Sequence, residues 1–361
     1  MIYSKKRSIL VIILFLVLIL IPNLLMLTDF EKKSQFANLT TFPDFKKETN
    51  KTGLVKLKKY YLEHYGLKSS LVDLYINIKA DFLNEDPLPN RVLKGSDDWY
   101  FLGNYNNNVL NNTFGMQTIS DIDLYIMKQN LKSLNNHLAR LGISFYFVIP
   151  PNKSTVYQEN LPFTVKQNPT PISQFLSTIK LSDSINFIDL RKTLRDKKEE
   201  NQLFQKTDTH WNSQGAYFAY EHIMKSIIQD YSQQTIVPLS YFEIKKDTLQ
   251  GDITRMINNY EKEIITNYNQ PANSHVETIV DTYKYHAFKN KNRDLKLLMF
   301  RDSFGYELFP FLNESFNEVV YIKYNEVISK SAIEKEKPDI VILEVSERNF
   351  DILLKKIRLT K

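Results

Sequence analysis

The sequence predicts an α/β protein with a doubly wound, mostly parallel sheet, preceded by one membrane-spanning helix. From about residue 120 onward, helix-like and strand-like segments alternate along the chain, which is the order that produces parallel strands with helices on both faces. The strand-like segments are short, continuous apolar runs, as expected for strands that are buried on both faces. A much longer apolar run lies near the N-terminus.

This N-terminal run has the features of a membrane anchor. Lys5, Lys6 and Arg7 precede an apolar stretch at residues 9–27, which at ~1.5 Å per residue comes close to the ~30 Å thickness of the hydrocarbon layer. Basic flanks stay in the cytoplasm, so we expect residues 1–28 to be a single-pass anchor in the cell membrane, with everything after it extracytoplasmic. A cleaved signal peptide is the alternative, but no small-residue cleavage site follows the run.

Composition argues against several other classes of function. The formal net charge of +6 is spread along the chain without a block of like charges, so we expect a solvated surface and no nucleic-acid binding. The chain contains no cysteine, which excludes disulfides, thiolate catalysis and cysteine-based zinc sites.

After the anchor, we expect a linker and then one large domain. Residues 29–53 are polar with scattered aromatic side chains and are interpreted as the linker. Residues 54–361 are expected to form the extracytoplasmic catalytic domain. Its first part, residues 54–82, predicts a helical hairpin or a bent helix, and residues 91–103 predict a short β-hairpin.

The α/β part of the domain begins with an amphipathic helix at residues 124–141, where apolar residues recur at intervals of three and four, closed by Gly142. Further helices are expected near residues 172–179, from Ser213 onward and around residues 353–357, and strands at residues 143–149, 185–190, 295–300, 318–322 and 339–345. Residues 240–290 alternate without a helical pattern and predict an antiparallel β insertion.

A serine directly follows one of the predicted buried strands. Ser303 lies in RDSFG, residues 301–305, after the strand at 295–300 and before a predicted helix. Doubly wound sheets bind ligands at the carboxyl ends of their strands, and a helix N-terminus stabilises a nearby anion. The arrangement is that of a nucleophile elbow without the GxSxG pattern. A helix-capping serine is the alternative interpretation.

A serine nucleophile needs a base, which the segment KTDTHWN at residues 206–212 contains. His210 is a candidate general base, and Asp208 is a candidate to hold its second ring nitrogen. The chain has six histidines, and the other five lie in helix-like or strand-like stretches and are interpreted as structural: His64, His137, His222, His275 and His286.

KTDTHWN followed by RDSFG resembles the polysaccharide O-acetyltransferase family typified by the alginate O-acetylation proteins (AlgX/AlgJ-like), including the DHHW proteins of Gram-positive bacteria. Further segments resemble landmarks of that family in the same order: GSDDWYFLG, FVIPPNKSTVYQENLP, LQGDITRM and PDIVILEVSERNF. The resemblance covers roughly residues 40–355. It implies an SGNH-hydrolase-like fold with a permuted motif order, because the Asp-x-His element precedes the serine. Arg301 is a departure, since the family more often has glycine there, and we expect its side chain to alter access to Ser303.

The resemblance also implies roles for individual residues. Ser303 would be the nucleophile, His210 the general base and Asp208 its orienting partner. The backbone N–H of Ser303 would be one oxyanion donor. Asn152 is a candidate for the second donor or for a substrate contact.

Other polar and aromatic residues are candidates with competing structural roles. Lys153 is a candidate substrate contact, with an ion pair to an acid as the alternative. Trp211 and Trp99 are candidates for a sugar platform, and for Trp99 the packing of the β-hairpin is the alternative. Asp302 is expected to fix the turn through backbone hydrogen bonds, and Arg348 to be a structural ion-pair partner.

Together these features predict a membrane-anchored, extracytoplasmic O-acyltransferase, most simply an O-acetyltransferase, acting on hydroxyls of a secreted or cell-wall glycopolymer through an acyl-serine intermediate. The resemblance implies a polytopic acyl donor, a membrane-bound O-acyltransferase, as partner. No cofactor is expected, and no metal either, since no second histidine or carboxylate cluster lies near Asp208 and His210 in sequence. An esterase with the same triad and a non-catalytic polymer-binding subunit are the alternatives.

Overall fold

The structure is a computed structural model. It describes residues 2–26, 28, 40–83, 85–164, 166–179, 183, 185–324 and 328–355. Most of the expected linker and the last part of the expected terminal helix, including Ile357, therefore lie outside the described residues. The chain divides into two compact units, Met1–Pro87 and Leu88–Lys361.

The first unit is helical. Helix α1 spans Ile2–Leu25, α2 spans Asn50–His64 and α3 spans Lys68–Asn77, which continues into a π-helical turn at Ile78–Phe82. Helix α1 is long and apolar enough to cross a membrane. The predicted break between two helices at Gly66 is confirmed.

The second unit contains the alternating helices and strands. In chain order they are β1 (Val92–Lys94), β2 (Tyr100–Leu102), α4 (Val109–Thr113), α5 (Asp121–Arg140), β3 (Ser144–Ile149), α6 (Lys153–Val156), α7 (Pro171–Thr178), β4 (Asn186–Asp189), α8 (Leu190–Lys197), α9 (Ser213–Asp230), β5 (Glu243–Leu249), α10 (Asp252–Arg255), β6 (Glu263–Asn269), β7 (Val276–Asp281), β8 (Tyr285–Asn290), β9 (Lys296–Arg301), α11 (Phe309–Asn313), β10 (Glu318–Lys323), α12 (Lys330–Glu336), β11 (Ile340–Glu344) and α13 (Ile352–Lys355).

A seven-stranded sheet in the order β4-β3-β11-β9-β10-β8-β7 forms the centre of this unit. The five strands from β4 to β10 are parallel, whereas β8 and β7 run antiparallel at one edge. The expected mostly parallel, doubly wound sheet is therefore confirmed.

Alternate residues of the central strands contribute to two separate apolar layers. In β3, Tyr146 and Val148 pack in the layer that contains residues of α8 and α9, whereas Phe145 and Phe147 pack in the layer formed with α5 and α7. All four side chains are buried. Covering both faces explains why the strand is a continuous apolar run, and each such phenylalanine contributes about 1.5–3 kcal/mol of burial free energy.

The region expected to form a β insertion contains two antiparallel pairs with different surroundings. Strands β5 and β6 form a separate two-stranded ribbon, joined through the short helix α10. Strands β7 and β8 instead extend the central sheet, because β8 pairs with β10. The alternating polarity predicted antiparallel strands, but it did not predict that one pair would be a separate ribbon and the other would extend the central sheet.

The hairpin β1–β2 buries the first of the two tryptophans. Trp99 is buried, and its ring stacks on Tyr157 with the ring centroids 4.1 Å apart. The structural alternative for Trp99 is therefore confirmed, and its indole offers no face to a sugar. The turn between the strands places Asp97 and Asp98 at positive φ.

Candidate active site

Ser303 follows β9 at the carboxyl edge of the parallel strands. Its backbone dihedrals, φ −71° and ψ −23°, are ordinary right-handed values, so the turn is unstrained. The next residues form a 3-10 helix, Phe304–Leu308, before the short α11, instead of the α-helix expected directly after the serine. Because a short 3-10 helix aligns few peptide dipoles, the helix-dipole contribution expected from the sequence is smaller than predicted.

Asp208, His210 and Ser303 are connected in series by hydrogen bonds. Nε2 of His210 lies 2.8 Å from Oγ of Ser303, and Nδ1 lies 2.7 Å from Oδ1 of Asp208. The fold thus brings together three side chains that the sequence analysis singled out, although a stretch of 93 residues separates His210 from Ser303. Asp208 is buried, while His210 and Ser303 are partly exposed.

The surroundings of Asp208 keep its carboxylate ionised. Burial raises the pKa of this group, but the hydrogen bond and charge of His210, together with the backbone N–H groups of Asp252 and His210, hold the pKa of Asp208 below its usual range. An ionised carboxylate only accepts hydrogen bonds. Nδ1 of His210 therefore carries a proton, which leaves Nε2 free to accept one from the serine hydroxyl.

Asp252, for which no role was predicted, supports this arrangement. Its Oδ1 accepts a hydrogen bond from the Thr209 backbone N–H (2.7 Å) and its Oδ2 one from the Thr209 hydroxyl (2.8 Å). Its own backbone N–H donates to Oδ2 of Asp208 (2.9 Å). The signal was available, since LQGDITRM was recognised as a family landmark with a carboxylate at its centre.

The fold also brings a third potential metal ligand to this loop, contrary to what sequence distance suggested. Ligand atoms of Asp208, His210 and Asp252 lie within 4.8 Å of one another. The carboxylate oxygens of both aspartates already accept hydrogen bonds from backbone N–H groups or from the Thr209 hydroxyl. A cation here would compete with those donors, so the donor set fits a hydrogen-bonded network better than a metal site.

Lys153 makes no ion pair with a described acid, so the structural alternative predicted for it is wrong, whereas its substrate contact stays a prediction, since Lys153 lines the same pocket as Asn152. Its Nζ donates to three backbone carbonyl groups, those of Gln205 (3.0 Å), Lys206 (2.9 Å) and Asp208 (2.7 Å). With its three donors occupied, the buried ammonium group fixes the segment that leads to His210. Burial lowers the pKa of Lys153 to about 7, against the charges of Asp208, Asp252 and Glu263.

Asn152 borders a small pocket beside the Thr209 segment. Leu102, Val109 and Ile253 form an apolar part of its lining, and Asn152, Thr209 and Arg348 are among its polar lining residues. Among the described residues, neither amide atom of the Asn152 side chain has a hydrogen-bond partner, although the residue is only 2% exposed. An unpaired buried amide is costly, so this side chain suits contact with a ligand.

Arg348 has no carboxylate within ion-pair distance among the described residues, so the predicted ion pair is wrong. Its guanidinium carbon lies 5.1 Å from the ring centroid of Phe304. The imidazole of His210 lies 5.0 Å from the same ring. Arg348 and His210 thus both lie against the ring of Phe304, the residue that follows the serine.

Trp211 is buried and cannot be a sugar platform, contrary to the prediction. It is 1% exposed, and its Nε1 donates to the Phe304 carbonyl oxygen at 3.1 Å. The indole and the Phe304 ring meet edge to face. The tryptophan of KTDTHWN therefore connects the histidine segment to the serine turn.

Asp302 fixes the serine turn through hydrogen bonds, as predicted. Its Oδ1 accepts from the Phe304 backbone N–H (2.9 Å). Its Oδ2 accepts from the Ser346 backbone N–H (3.0 Å) and the Asn349 side chain (3.0 Å). The turn after β9 is thereby attached to the loop after β11, the neighbouring strand.

Arg301 does not border the entrance to the serine, contrary to the prediction. The residue is 0% exposed, and its guanidinium carbon lies 3.6 Å from the ring centroid of Tyr306. A Cβ added at Gly305 would lie 2.7 Å from Cδ of Arg301, so the arginine passes directly beside this glycine. Arg301, the departure from the family pattern, therefore packs beneath the serine turn and leaves the exposed side of that turn unchanged.

An α/β sheet with a serine, a histidine and an aspartate hydrogen-bonded in series at its carboxyl edge belongs to the class of folds that hosts serine hydrolases and acyl-transfer enzymes. The family described as "SGNH hydrolase-like domain, acetyltransferase AlgX" matches residues 92–295. This match covers more than half of the 361 residues, and the chain belongs to this family. The matched range includes Asp208 and His210 and ends before Ser303.

Two structures of Bacillus cereus PatB1 share the fold. The structure of Bacillus cereus PatB1 is 18% identical, with a TM-score of 0.57 over 73% of this chain and 98% of that chain. PatB1 with a sulfonyl adduct gives 19% identity and a TM-score of 0.55 over 73% of this chain and 97% of that chain. The O-acetyltransferase domain of Pseudomonas putida AlgJ gives 17% identity and a TM-score of 0.48 over 72% of this chain and 92% of that chain. No curated protein sequence matches the chain.

Proposed function

We propose that the protein is a membrane-anchored, extracytoplasmic O-acetyltransferase that modifies hydroxyl groups of a secreted or cell-wall glycopolymer. The observation that carries the proposal is the hydrogen-bonded series Asp208–His210–Ser303. Membership of the acetyltransferase family supports the reaction class, and the apolar α1 supports the anchor.

In the first half-reaction, Oγ of Ser303 attacks the carbonyl carbon of an acetyl donor. His210 takes the hydroxyl proton on Nε2 and passes it to the leaving group, while Asp208 stabilises the imidazolium through Nδ1–H. The product is acetyl-Ser303. In the second half-reaction, His210 removes the proton from a glycopolymer hydroxyl, whose oxygen attacks the acetyl carbonyl. The new ester leaves, and Ser303 recovers the proton from His210.

Two groups at this edge of the sheet are candidates to stabilise the oxyanion. Among the described residues, no acceptor binds the backbone N–H of Ser303. Arg348 lies in the loop after β11, the strand beside β9, whereas Asn152 follows β3, one strand further away. At about 4.8 Å per strand, we assign the second oxyanion donor to Arg348. Asn152 then contacts the substrate in the pocket that both residues line.

The acetyl group has to reach an extracytoplasmic site from the cytoplasm. We therefore propose a polytopic membrane-bound O-acyltransferase as the donor partner. Helix α1 would keep the catalytic unit near that partner, with the N-terminus in the cytoplasm, because Lys5, Lys6 and Arg7 precede the span.

Covalent labelling tests the nucleophile. The full chain in detergent is treated with a sulfonyl fluoride, a reagent that sulfonylates activated serines, and the adduct is mapped by mass spectrometry. We expect the adduct on Ser303, none in Ser303→Ala, and slow labelling in His210→Ala. Ser331→Ala, at an exposed serine, is the matched control and should label normally. Labelling that persists in Ser303→Ala would reject the assignment.

Product analysis separates transfer from hydrolysis. The purified protein is given an acetyl ester together with non-acetylated polymer, and ester formation is followed by mass spectrometry. Gain of acetyl groups on the polymer supports the transferase. Loss of ester from acetylated polymer without any gain would favour the esterase. Unchanged polymer acetylation in cells carrying Ser303→Ala would favour a non-catalytic binding subunit.

A further inference from the structure

The two helices that follow the anchor expose many of their apolar side chains. Leu54 and Leu62 on α2 are 62% and 54% exposed, and Leu74 and Phe82 in the second helical segment are 56% and 84% exposed. Of the described residues of α3, Ile76 alone has a buried side chain. Helices of this length are marginal in water without packing, so these faces require an apolar environment.

Four of the exposed apolar residues of α3 and its π-helical turn form one stripe. Leu71, Leu74, Ile78 and Phe82 follow one another at intervals of three or four residues, which places them on the same face. Asn77 and Ala80 lie away from this stripe. The stripe gives the segment one apolar face that a lipid surface could cover.

The position of this hairpin within the first unit indicates what covers it. The hydroxyl of Tyr61 on α2 donates to Oδ1 of Asn23 at 2.9 Å. A Cβ at Gly66, in the turn between α2 and α3, would lie 2.2 Å from the Pro22 carbonyl oxygen. Only glycine permits this close approach. Both contacts are at the C-terminal end of α1, where the proposed span leaves the hydrocarbon layer on its outer side.

We propose that the α2–α3 hairpin lies in the outer lipid–water interface of the membrane, with the stripe of α3 in the acyl region. The occupant of the apolar face is the bilayer itself, since the hairpin is continuous with the end of the span. Exposed Lys56, Lys58, Lys59 and Lys68 are close in sequence to the apolar side chains. Lys56 and Lys59 pair with Glu48 and Glu63, and Nζ of Lys68 donates to the Leu62 carbonyl oxygen. The aliphatic stem of Lys58, which has no ion-pair partner among the described residues, can cross the apolar layer and bring its ammonium group to anionic headgroups. The inference rests on the membrane anchoring of the proposed function.

The absence of cysteine in the chain allows a direct test. Single-cysteine variants of the full chain are placed in nanodiscs of phosphatidylcholine and phosphatidylglycerol and labelled with an environment-sensitive fluorophore. Lipids carrying a doxyl quencher on the acyl chain report depth. Leu74→Cys and Phe82→Cys probe the stripe, Asn77→Cys and Ala80→Cys are the matched controls, and Leu18→Cys probes the span.

We expect strong quenching at residues 18, 74 and 82 and several-fold weaker quenching at residues 77 and 80. Quenching at residue 18 without quenching at residues 74 and 82 would contradict the location of the hairpin at the lipid–water interface. The apolar face of α3 would then bind a protein partner or a second copy of the chain. No quenching at residue 18 would overturn the anchor together with the hairpin. Equal quenching at the stripe and the control positions would overturn the orientation.

Discussion

His210 is held by contacts on more than one side, and this fixes the direction of its Nε2. Asp208 binds Nδ1, the Thr209 hydroxyl lies 3.2 Å from the same nitrogen, and the ring of Phe304 lies against the imidazole. Thr209 is in turn held by Asp252. The orientation of His210, the proposed base, therefore depends on residues in two loops. Substitution of Thr209 or Asp252 should lower the reaction rate, although neither residue supplies a reacting atom.

Replacing Asp208 with asparagine should lower the rate of acylation by on the order of 10³–10⁴. The amide keeps the size of the side chain but offers a donor where Nδ1–H needs an acceptor, so the wrong tautomer of His210 is favoured. The measurement is the pre-steady-state burst with p-nitrophenyl acetate. A burst within a factor of ten of the wild-type rate would contradict the role of Asp208.

The same substitution should change the pH dependence of stability. The pKa of Asp208 is lower in the folded chain than its usual value near 4. Its contribution is therefore complete above about pH 4 and is lost as pH falls towards the folded pKa. We expect the free energy of unfolding, from urea denaturation, to fall less steeply below pH 4 in Asp208→Asn. An unchanged slope would show that other carboxylates dominate acid unfolding.

Arg348→Met should reduce acylation of Ser303 by on the order of 10²–10³, because a donor to the oxyanion is lost. Arg348→Lys should recover part of the rate, since it keeps the positive charge. Arg140→Met, at an exposed arginine on α5, is the control. If both Arg348 variants acylate at the wild-type rate, the second donor is another group, and Asn152→Ala becomes the next variant to measure.

At the scale of elements, the site is assembled from loops that follow β3, β9 and β11 and from two segments outside the parallel strands, residues 206–212 and 250–252. Gly251, in the second of these segments, is required for steric reasons. A Cβ at Gly251 would lie 2.0 Å from the Thr207 carbonyl oxygen. The loop can therefore approach the histidine segment closely enough for Asp252 to hold Thr209.

Gly251→Ala should consequently impair catalysis more than folding. The added methyl group displaces the Thr207 segment and with it His210, whereas the central sheet is unaffected. We expect acylation to fall by ten-fold or more while the thermal midpoint shifts by only a few degrees. Gly142→Ala is the control, since an added Cβ there meets nothing within 4 Å; because that residue has φ +74°, it should cost stability but not rate.

The sequence was sufficient for the central strands and for the three residues of the hydrogen-bonded series. Each of those strands is a separate apolar run, and Asp208, His210 and Ser303 occur in short recognisable segments. The roles of Lys153, Trp211 and Arg348 were not predictable. They depend on which side chain a loop buries, and that is decided by contacts between segments far apart in the chain, such as Lys153 with the carbonyl of Asp208.

At the scale of the whole molecule, the apolar cores and the site lie within the second unit. All residues of the three buried apolar clusters have numbers above 91, and the unit begins at Leu88. Among the described residues, these three clusters are therefore made of side chains of the second unit.

Residues 88–361 should fold without the rest of the chain and retain a reactive Ser303. The expected result is a cooperative thermal transition and sulfonyl labelling at the rate of the full chain in detergent. Ser303→Ala in the same fragment is the control for labelling. A fragment that is unfolded, or folded but unreactive, would show that residues before Leu88 complete the structure or the site.

The attachment of the serine turn to Ser346 and Asn349 has a consequence for biosynthesis. A chain that is still being made can already contain Asp208, His210 and Ser303, but Oδ2 of Asp302 lacks its Ser346 and Asn349 partners until residue 349 has been added. β11, which lies between β3 and β9, is also missing until then. Ser303 of the nascent protein should therefore be unreactive during synthesis and become reactive only after nearly the whole chain has been completed.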